Sequence, residues 1–502
     1  MSAIVTKEKR NVIPRWRSFR ETLALGELAA PPKEIVTPPS DGQLQRRLWE
    51  WSQNRTVWHA ADLVGAAFIL RQPEVARDAA DFLLSADDAP SAAKSLARRL
   101  LNQKVAGPLA EVVNAVEDFD AIYSAIHLAR ERLQDDPRNA IQWIDLARQY
   151  TSLGLDNRAR RAVGVAISLN KNNRFILRAA ARFYVHQGEV DHAHELVMTA
   201  PATRFDPWLL SAEVALAAAA EVPPRFAHIG RKLLGDASVN PLSLTELAGE
   251  LGTLELSNGK VRNAKKLFRQ SLANPNENSL AQAEWAWQQV TGHQLNVNEF
   301  SVPYNFEAQA WHSFEKGLWE NALANSQRWL VDQPFSRRPA ILGSYVASSM
   351  LEEYETGIDI LQRSLIPNPN DPILWNNIAF AYANTGQIEK AQDALSRTNA
   401  LKPTPSDQVC LYATQGLVYF RQGLVEKGLD FYKKALELAA SQKLTRLYAT
   451  ALLHLAFEEL RAHSKGSEQT AGMAAEAAEG FADESMHVLT RRLTRKRHES
   501  VL

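Results

Sequence analysis

A constant interval of 34 residues separates matching aromatic, glycine and alanine positions in the second hundred residues of this chain. Four coincident matches at one interval indicate an internal repeat. A repeat of this length is one supersecondary unit, which cannot bury its apolar face alone and has to stack on its neighbours. The four pairs are Tyr150 and Tyr184, Gly154 and Gly188, Ala159 and Ala193, and Ala166 and Ala200.

The clearest single unit covers residues 372–403 and predicts two helices. Apolar residues at positions i, i+3, i+4 and i+7 give the first helix one apolar face, and Gly386 ends that helix. Small residues at Ala379 and Ala391 predict a close approach of the two helices. The apolar faces consist of Trp375, Ile378, Ala379 and Tyr382 in the first helix, and Ala391 and Leu395 in the second.

In the order and spacing of these residues, the unit resembles the tetratricopeptide repeat, a 34-residue helix–turn–helix. The resemblance extends over residues 120–463, and Thr398 departs from it by replacing a small alanine. It implies an all-α fold, an α-solenoid of stacked helical hairpins that form two arrays with helical caps.

The pattern divides the chain into five predicted segments. Residues 292–303 mix Asn, Gly and Pro without periodicity, which predicts a joint between the two arrays. The segments are a basic, proline-rich tail at 1–40, a helical cap or degenerate repeats at 41–118, a first array at 119–295, a second array at 296–463, and a C-terminal helix with a basic end at 464–502.

Length, charge and cysteine content narrow the class of protein. A chain of 502 residues exceeds what one compact core usually supports. The charges of its 57 basic and 57 acidic residues cancel, and a net charge of zero argues against a protein that coats nucleic acid. The only cysteine, Cys410, excludes an intrachain disulfide and is expected to be a packed thiol. The first residues lack an apolar signal core and no long apolar segment follows, so we expect a soluble cytoplasmic protein without membrane insertion.

No stretch has a pattern typical of catalysis or cofactor binding. Residues 252–260 contain the glycines and lysine of a phosphate-binding loop, but at the wrong spacing and without the hydroxyl that follows them. His192 and His194 are two apart on a helix, so their side chains point about 200° apart and cannot reach one ion. The Glu458-Glu459 pair is expected on a charged surface. The sequence predicts no catalytic residue, no metal ligand and no cofactor.

The family resemblance implies a partner-binding groove, because exposed residues of each first helix line the concave side of such arrays. Arg178 and Arg182 are four apart and share a helix face, and Arg148 lies on the neighbouring helix. We predict that these exposed guanidiniums clamp a carboxylate or an acidic peptide beside Phe175. The alternative is that they pair with acids of the same chain or stay solvated. The positions in the two N-terminal units are Ile144, Arg148, Phe175, Arg178, Arg182 and His186.

The equivalent positions of the second array are more amidic and apolar. That composition favours a partner that presents a helix or an extended peptide. These positions are Asn376, Phe380, Asn384, Leu417, Phe420 and Arg421.

The N-terminal tail contains three large apolar residues that share one helical face, Trp16, Phe19 and Leu23. These side chains would gain no stabilisation from burial if they stayed exposed in a free leader. We therefore predict that Trp16 and Phe19 dock, either on a partner or on the chain's own helices. The alternative is a disordered basic leader.

Together these features predict a non-catalytic adaptor or scaffold that binds one or more proteins through its concave groove and its N-terminal tail. Two alternatives remain. One is a regulatory subunit of a larger enzyme complex, with the tail inserted into its partner. The other is a nucleic-acid-associated protein that uses the basic ends and the arginine-lined groove, against which the zero net charge argues.

Overall fold

The computed structural model shows a solenoid of paired helices. Within the part of the chain that it describes, it contains 25 α-helices and no strand, and from Phe119 onward each helix packs against the next. The predicted all-α solenoid is therefore confirmed. Leu23 and residues 102–118 of the predicted cap lie outside the described residues. The described residues are Met1, 13–19, 41–89, 91–101, 119–481 and 483–501.

The first fourteen helices cover the predicted cap and first array, and α5–α14 are here called the N-terminal half. They are α1 (Asp41–Gln53), α2 (Val57–Ile69), α3 (Arg77–Ser85), α4 (Ser91–Leu100), α5 (Phe119–Asp135), α6 (Ala140–Ser152), α7 (Asp156–Leu169), α8 (Arg174–His186), α9 (Val190–Thr199), α10 (Pro207–Ala219), α11 (Ala227–Leu234), α12 (Pro241–Ser257), α13 (Val261–Ser271) and α14 (Glu277–Thr291).

The remaining eleven helices are here called the C-terminal half. They are α15 (Phe306–Glu315), α16 (Trp319–Asp332), α17 (Arg337–Tyr345), α18 (Tyr354–Leu365), α19 (Pro372–Asn384), α20 (Ile388–Arg397), α21 (Pro405–Arg421), α22 (Val425–Ser441), α23 (Thr445–Arg461), α24 (Ser467–Glu479) and α25 (Glu484–Val501). One π-helical turn, Val346–Leu351, follows α17. None of the described helices combines the length and the apolar composition needed to cross a bilayer.

The hairpin α19–α20 confirms the unit predicted at residues 372–403. Asp371 caps α19, because its side chain accepts from the backbone N–H groups of the next two residues after Pro372. Gly386 ends the helix in the left-handed region, with φ of 79°, and the following N–H bonds back to the Tyr382 carbonyl at 2.9 Å. Ala379 and Ala391 are both fully buried, as their small side chains predict.

Glycines bring α21 and α22 into close contact. A Cβ built at Gly416 would lie 2.6 Å from Cδ2 of Tyr432, and one built at Gly428 would lie 2.5 Å from Cδ2 of Phe420. Neither ring can move away without leaving the interface, so only glycine fits at the two positions.

The C-terminal helix α25 folds back onto the concave side of the C-terminal half. Its Met486, Leu489 and Leu493 are buried, and Arg492 donates to the carbonyl oxygens of Ser349 and Met350 in the π-helical turn. The basic end predicted for residues 464–502 is thus part of a packed helix.

Two buried polar positions in the C-terminal half differ in how well the sequence predicted them. Cys410 is buried, which raises the pKa of its thiol to about 12 and confirms the predicted packed thiol. The predicted charged surface at Glu458-Glu459 is wrong, since Glu458 is only 6% exposed where α24 and α25 cover α23. Burial raises the pKa of Glu458, although its carboxylate lies 2.9 Å from a guanidinium nitrogen of Arg421.

Candidate partner-binding groove

Residues 13–19 of the N-terminal tail lie inside the solenoid, and we call them the groove segment. Residues 13–18 form neither helix nor strand. Trp16 is 0% exposed, and its ring centroid lies 6.4 Å from that of Phe183 on α8 and 5.5 Å from that of Phe335, which follows α16. The predicted docking of the tail therefore occurs on the chain's own helices.

Side chains of the solenoid bind the main chain of the groove segment. The N–H of Trp16 donates to Oε1 of Gln333 at 3.3 Å, and its carbonyl oxygen accepts from Nε of Arg148 at 3.0 Å. The N–H of Phe19 donates to Oδ1 of Asp145 at 3.0 Å. A groove that satisfies the backbone of an inserted segment in this way can hold an extended peptide.

Two buried arginines fix the register of the groove segment. Arg15 lies 3.0 Å from a carboxylate oxygen of Glu307, and Arg17 lies 2.6 Å from one of Glu277. Arg17 also makes a bidentate contact with Asp332, in which Nε donates to Oδ1 and Nη2 donates to Oδ2 at 2.8 Å. Burial alone would lower the pKa of Arg17, but Asp332 and Glu277 raise it above its ordinary value. The arrangement therefore requires a cationic side chain at position 17.

Arg148 and Phe175 are the predicted N-terminal groove residues that contact the groove segment. Arg148 is only 7% exposed, so its predicted exposure is wrong; its guanidinium bonds to carbonyl oxygens of Trp16 and Asp332. The ring of Phe175 packs edge-on against Phe19, with 5.4 Å between centroids. Both residues therefore bind the N-terminal tail of their own chain.

The predicted three-guanidinium clamp does not form. Arg178 points to the next helices, where it lies 2.8 Å from a carboxylate oxygen of Glu246, as the alternative of pairing within the chain predicts. Arg182 lies over the ring of Phe335 at 5.4 Å, and burial followed by the nearby guanidinium of Arg338 lowers the pKa of Arg182 to about 10. It stays charged at neutral pH.

His186 and Ile144 complete the predicted N-terminal set. The His186 ring contacts Phe335 with centroids 5.7 Å apart, and burial lowers the pKa of this imidazole to about 4. Ile144 is fully buried, so its predicted exposure is wrong. The concave side is closed here because the residues after α16 pack into it.

The predicted groove positions of the C-terminal half are also covered. The predicted exposure is wrong because Met1, α23 and α25 fill this side of the solenoid. Nδ2 of Asn376 donates to the Met1 carbonyl oxygen at 2.8 Å, and Phe380 packs on His454 with centroids 5.4 Å apart. Leu417 and Phe420 are buried, and the Phe420 ring packs against that of Tyr432. Nη2 of Arg421 donates to Asn384 and to Glu458 of the same chain.

The residues that bind the basic side chains of the groove segment were not predicted from the sequence. Glu277 and Glu307 lie in the first turns of α14 and α15, where acids commonly stabilise helix ends and so gave no separate signal. Asp332 ends α16, and Phe335 follows it. The available signal was the Arg15-Trp16-Arg17 pattern in the tail, which calls for acidic and aromatic receptors. Among the described residues, no group of three or more His, Cys, Asp or Glu could hold a metal ion.

Comparison with known families bears on the hairpin α21–α22. The family model of the tetratricopeptide repeat matches residues 411–442, which cover most of these two helices and both close-contact glycines. This stretch of the chain is a tetratricopeptide repeat. A tetratricopeptide repeat array is, in general terms, a scaffold for protein interactions.

Two curated proteins match the chain over a short stretch. The peroxisomal targeting signal receptor of Candida glabrata is 38% identical over 53 residues, and that of Candida albicans is 40% identical over 53 residues. In both cases the match covers 11% of this chain and 9% of the receptor. The chain therefore spans less than a tenth of the length of these relatives.

Solved structures with related architecture superpose loosely. Yeast Tom70 is 12% identical with a TM-score of 0.31, over 92% of this chain and 97% of its own. The APC/C hetero-tetramer Cut9–Hcn1 is 12% identical with a TM-score of 0.41, over 90% of this chain and 94% of its own. Superpositions this loose define neither a shared partner nor a shared site.

Proposed function

We propose that this chain is a non-catalytic adaptor that binds protein partners through its concave groove. The observation that carries the proposal is the groove segment, because the groove already holds an extended peptide by backbone bonds, aromatic contacts and ion pairs. A groove built for one extended peptide accepts another of the same chemistry.

The partner segment would be basic and aromatic, with arginines flanking a large ring as in Arg15-Trp16-Arg17. The acidic receptors Glu307 and Asp332 favour this composition over the acidic peptide that the sequence suggested. Arg148 would bind the partner's backbone rather than its carboxylates.

The tethered segment competes with any partner. If both have an intrinsic Kd of about 1 μM, tethering at an effective concentration of about 1 mM weakens the apparent affinity of the partner about a thousandfold. We therefore propose that the groove opens only to a partner with additional contacts elsewhere, which makes the adaptor selective.

A chain lacking residues 1–19 tests the groove directly. A labelled peptide of residues 11–22 is expected to bind this variant with micromolar Kd and to raise its melting temperature, because the peptide refills the vacated groove. The full chain should bind the same peptide at least about a hundredfold more weakly, since its groove is occupied. Fluorescence anisotropy measures both affinities.

A scrambled peptide of the same composition is the control and should bind neither chain. Equal affinity of the two chains for the native peptide would contradict the proposal, as would absence of binding by a folded truncated chain.

A further inference from the structure

A cavity separate from the groove, with several charged side chains in its lining, lies between the cap and the start of the N-terminal half. It has a volume of about 620 Å³ and is lined by α1, α2, α5, α6 and α7. Five arginines and two carboxylates line it, which leaves three positive charges in excess at neutral pH. The arginines are Arg46, Arg47, Arg130, Arg158 and Arg161.

One carboxylate holds part of this cluster in place. The two oxygens of Asp62 bind the guanidiniums of Arg130 and Arg158, and Arg158 also bonds to the carbonyl oxygen of Trp58. Burial alone would raise the pKa of Asp62, but these arginines hold it well below its usual range. Arg158 and Arg161 both lie over the Trp58 ring, at 4.5 and 5.3 Å from its centroid. The guanidiniums are thus fixed before any ligand arrives.

One of the lining arginines has unused hydrogen-bonding capacity. Arg47 is only 4% exposed, and although Nη1 lies 2.7 Å from Glu50, its buried Nε–H has no hydrogen-bond partner. A buried donor left unsatisfied is costly, so partners from its own chain do not saturate the Arg47 guanidinium.

The N-terminus of α2 opens at the same place. Thr56 caps this helix of 13 residues and lines the cavity together with His59. Its side chain accepts from the His59 N–H at 3.3 Å, and the positive end of the helix dipole adds to the arginine charge.

We propose that this cavity is a binding site for a small molecule that carries phosphate groups. A phosphate monoester carries about 1.5 to 2 negative charges at neutral pH, so one or two phosphates balance the excess positive charge. Guanidiniums match phosphate oxygens in pairs, and a cavity of this volume holds a ligand of nucleotide size. The site is independent of the peptide groove and of its proposed function.

Isothermal calorimetry with two defined probes, pyrophosphate and ADP, tests the site on the full chain. Each is expected to bind at one site per chain, with affinity that falls as salt is raised. An acidic peptide of equal charge is the comparison, because negative charge alone should not suffice for binding at this site. No binding of either phosphate probe, or binding of the acidic peptide alone, would overturn the proposal.

Three variants locate the binding. Arg46 and Arg161 are exposed at the rim, so R46A/R161A should fold normally and weaken ADP binding about tenfold. E50Q removes one competing carboxylate and should tighten ADP binding several-fold, an effect that a purely structural cluster would not show. The control R262A/R269A removes two exposed arginines of α13 and should leave the affinity unchanged. An equal loss in the control, or no change in R46A/R161A, would place the binding elsewhere and overturn the assignment.

Discussion

Replacing Trp16 by alanine is expected to lower the free energy of unfolding by about 3–5 kcal/mol, as for other fully buried aromatic side chains. Trp16 has no exposed surface and packs against Phe183 of the N-terminal half and Phe335 of the C-terminal half. Its removal leaves a cavity at the contact of the two halves. Chemical denaturation followed by circular dichroism measures the change.

The matched control for this substitution is Trp49→Ala in α1, because Trp49 is 62% exposed. We expect its free energy of unfolding to change by less than about 0.5 kcal/mol. If the two substitutions had equal small effects, Trp16 would not be docked.

Replacing Asp332 by alanine should also cost about 3–5 kcal/mol, the usual loss when one partner of a buried ion pair is removed. Asp332 receives two bonds from Arg17, and one of its carboxylate oxygens lies 3.6 Å from Arg15. Without it, two buried guanidiniums in the groove segment lose a counter-charge. A double-mutant cycle with Arg17→Ala should give a coupling energy of about 1–3 kcal/mol.

Asp393 provides the control, since its contact with Arg397 is an exposed pair four residues apart on α20. Asp393→Ala should cost no more than about 0.5 kcal/mol. A coupling energy near zero between Asp332 and Arg17 would show that the ion pair is absent in solution.

The fold was predictable because each unit repeats local signals that determine local structure. Gly154, Gly188 and Gly386 all adopt positive φ at the end of a first helix, and small residues such as Ala391 pack where the helices of a hairpin meet. These signals act within about 34 residues, so the periodicity alone reveals them.

The content of the groove was not predictable in the same way. The 34-residue pattern defines which residues face inward, but it does not define what fills the inside of the superhelix. Arg15 and Glu307 are 292 residues apart, and no periodic signal relates such positions. Phe335 and α25 reach the concave side through the curvature of the whole array, which a single unit does not encode.

The positive charge at the groove positions also led to a wrong prediction of the ligand. The arginines at groove positions predicted an acidic ligand, yet Arg178 pairs with Glu246 of its own chain and Arg148 bonds to main-chain carbonyl groups. A guanidinium binds carbonyl oxygens as well as carboxylates, so its presence alone does not specify an acidic partner. The acids that hold the groove segment lie at helix ends.

If the groove segment occupies the concave groove of its own chain in solution, its backbone is protected from solvent. Hydrogen exchange of the full chain, read by mass spectrometry over residues 13–19, measures this protection. Because the N–H groups of Trp16 and Phe19 are bonded to Gln333 and Asp145, we predict protection comparable to that of α8, independent of protein concentration. Exchange as fast as in a free peptide of the same sequence would show that the segment is not docked in the groove.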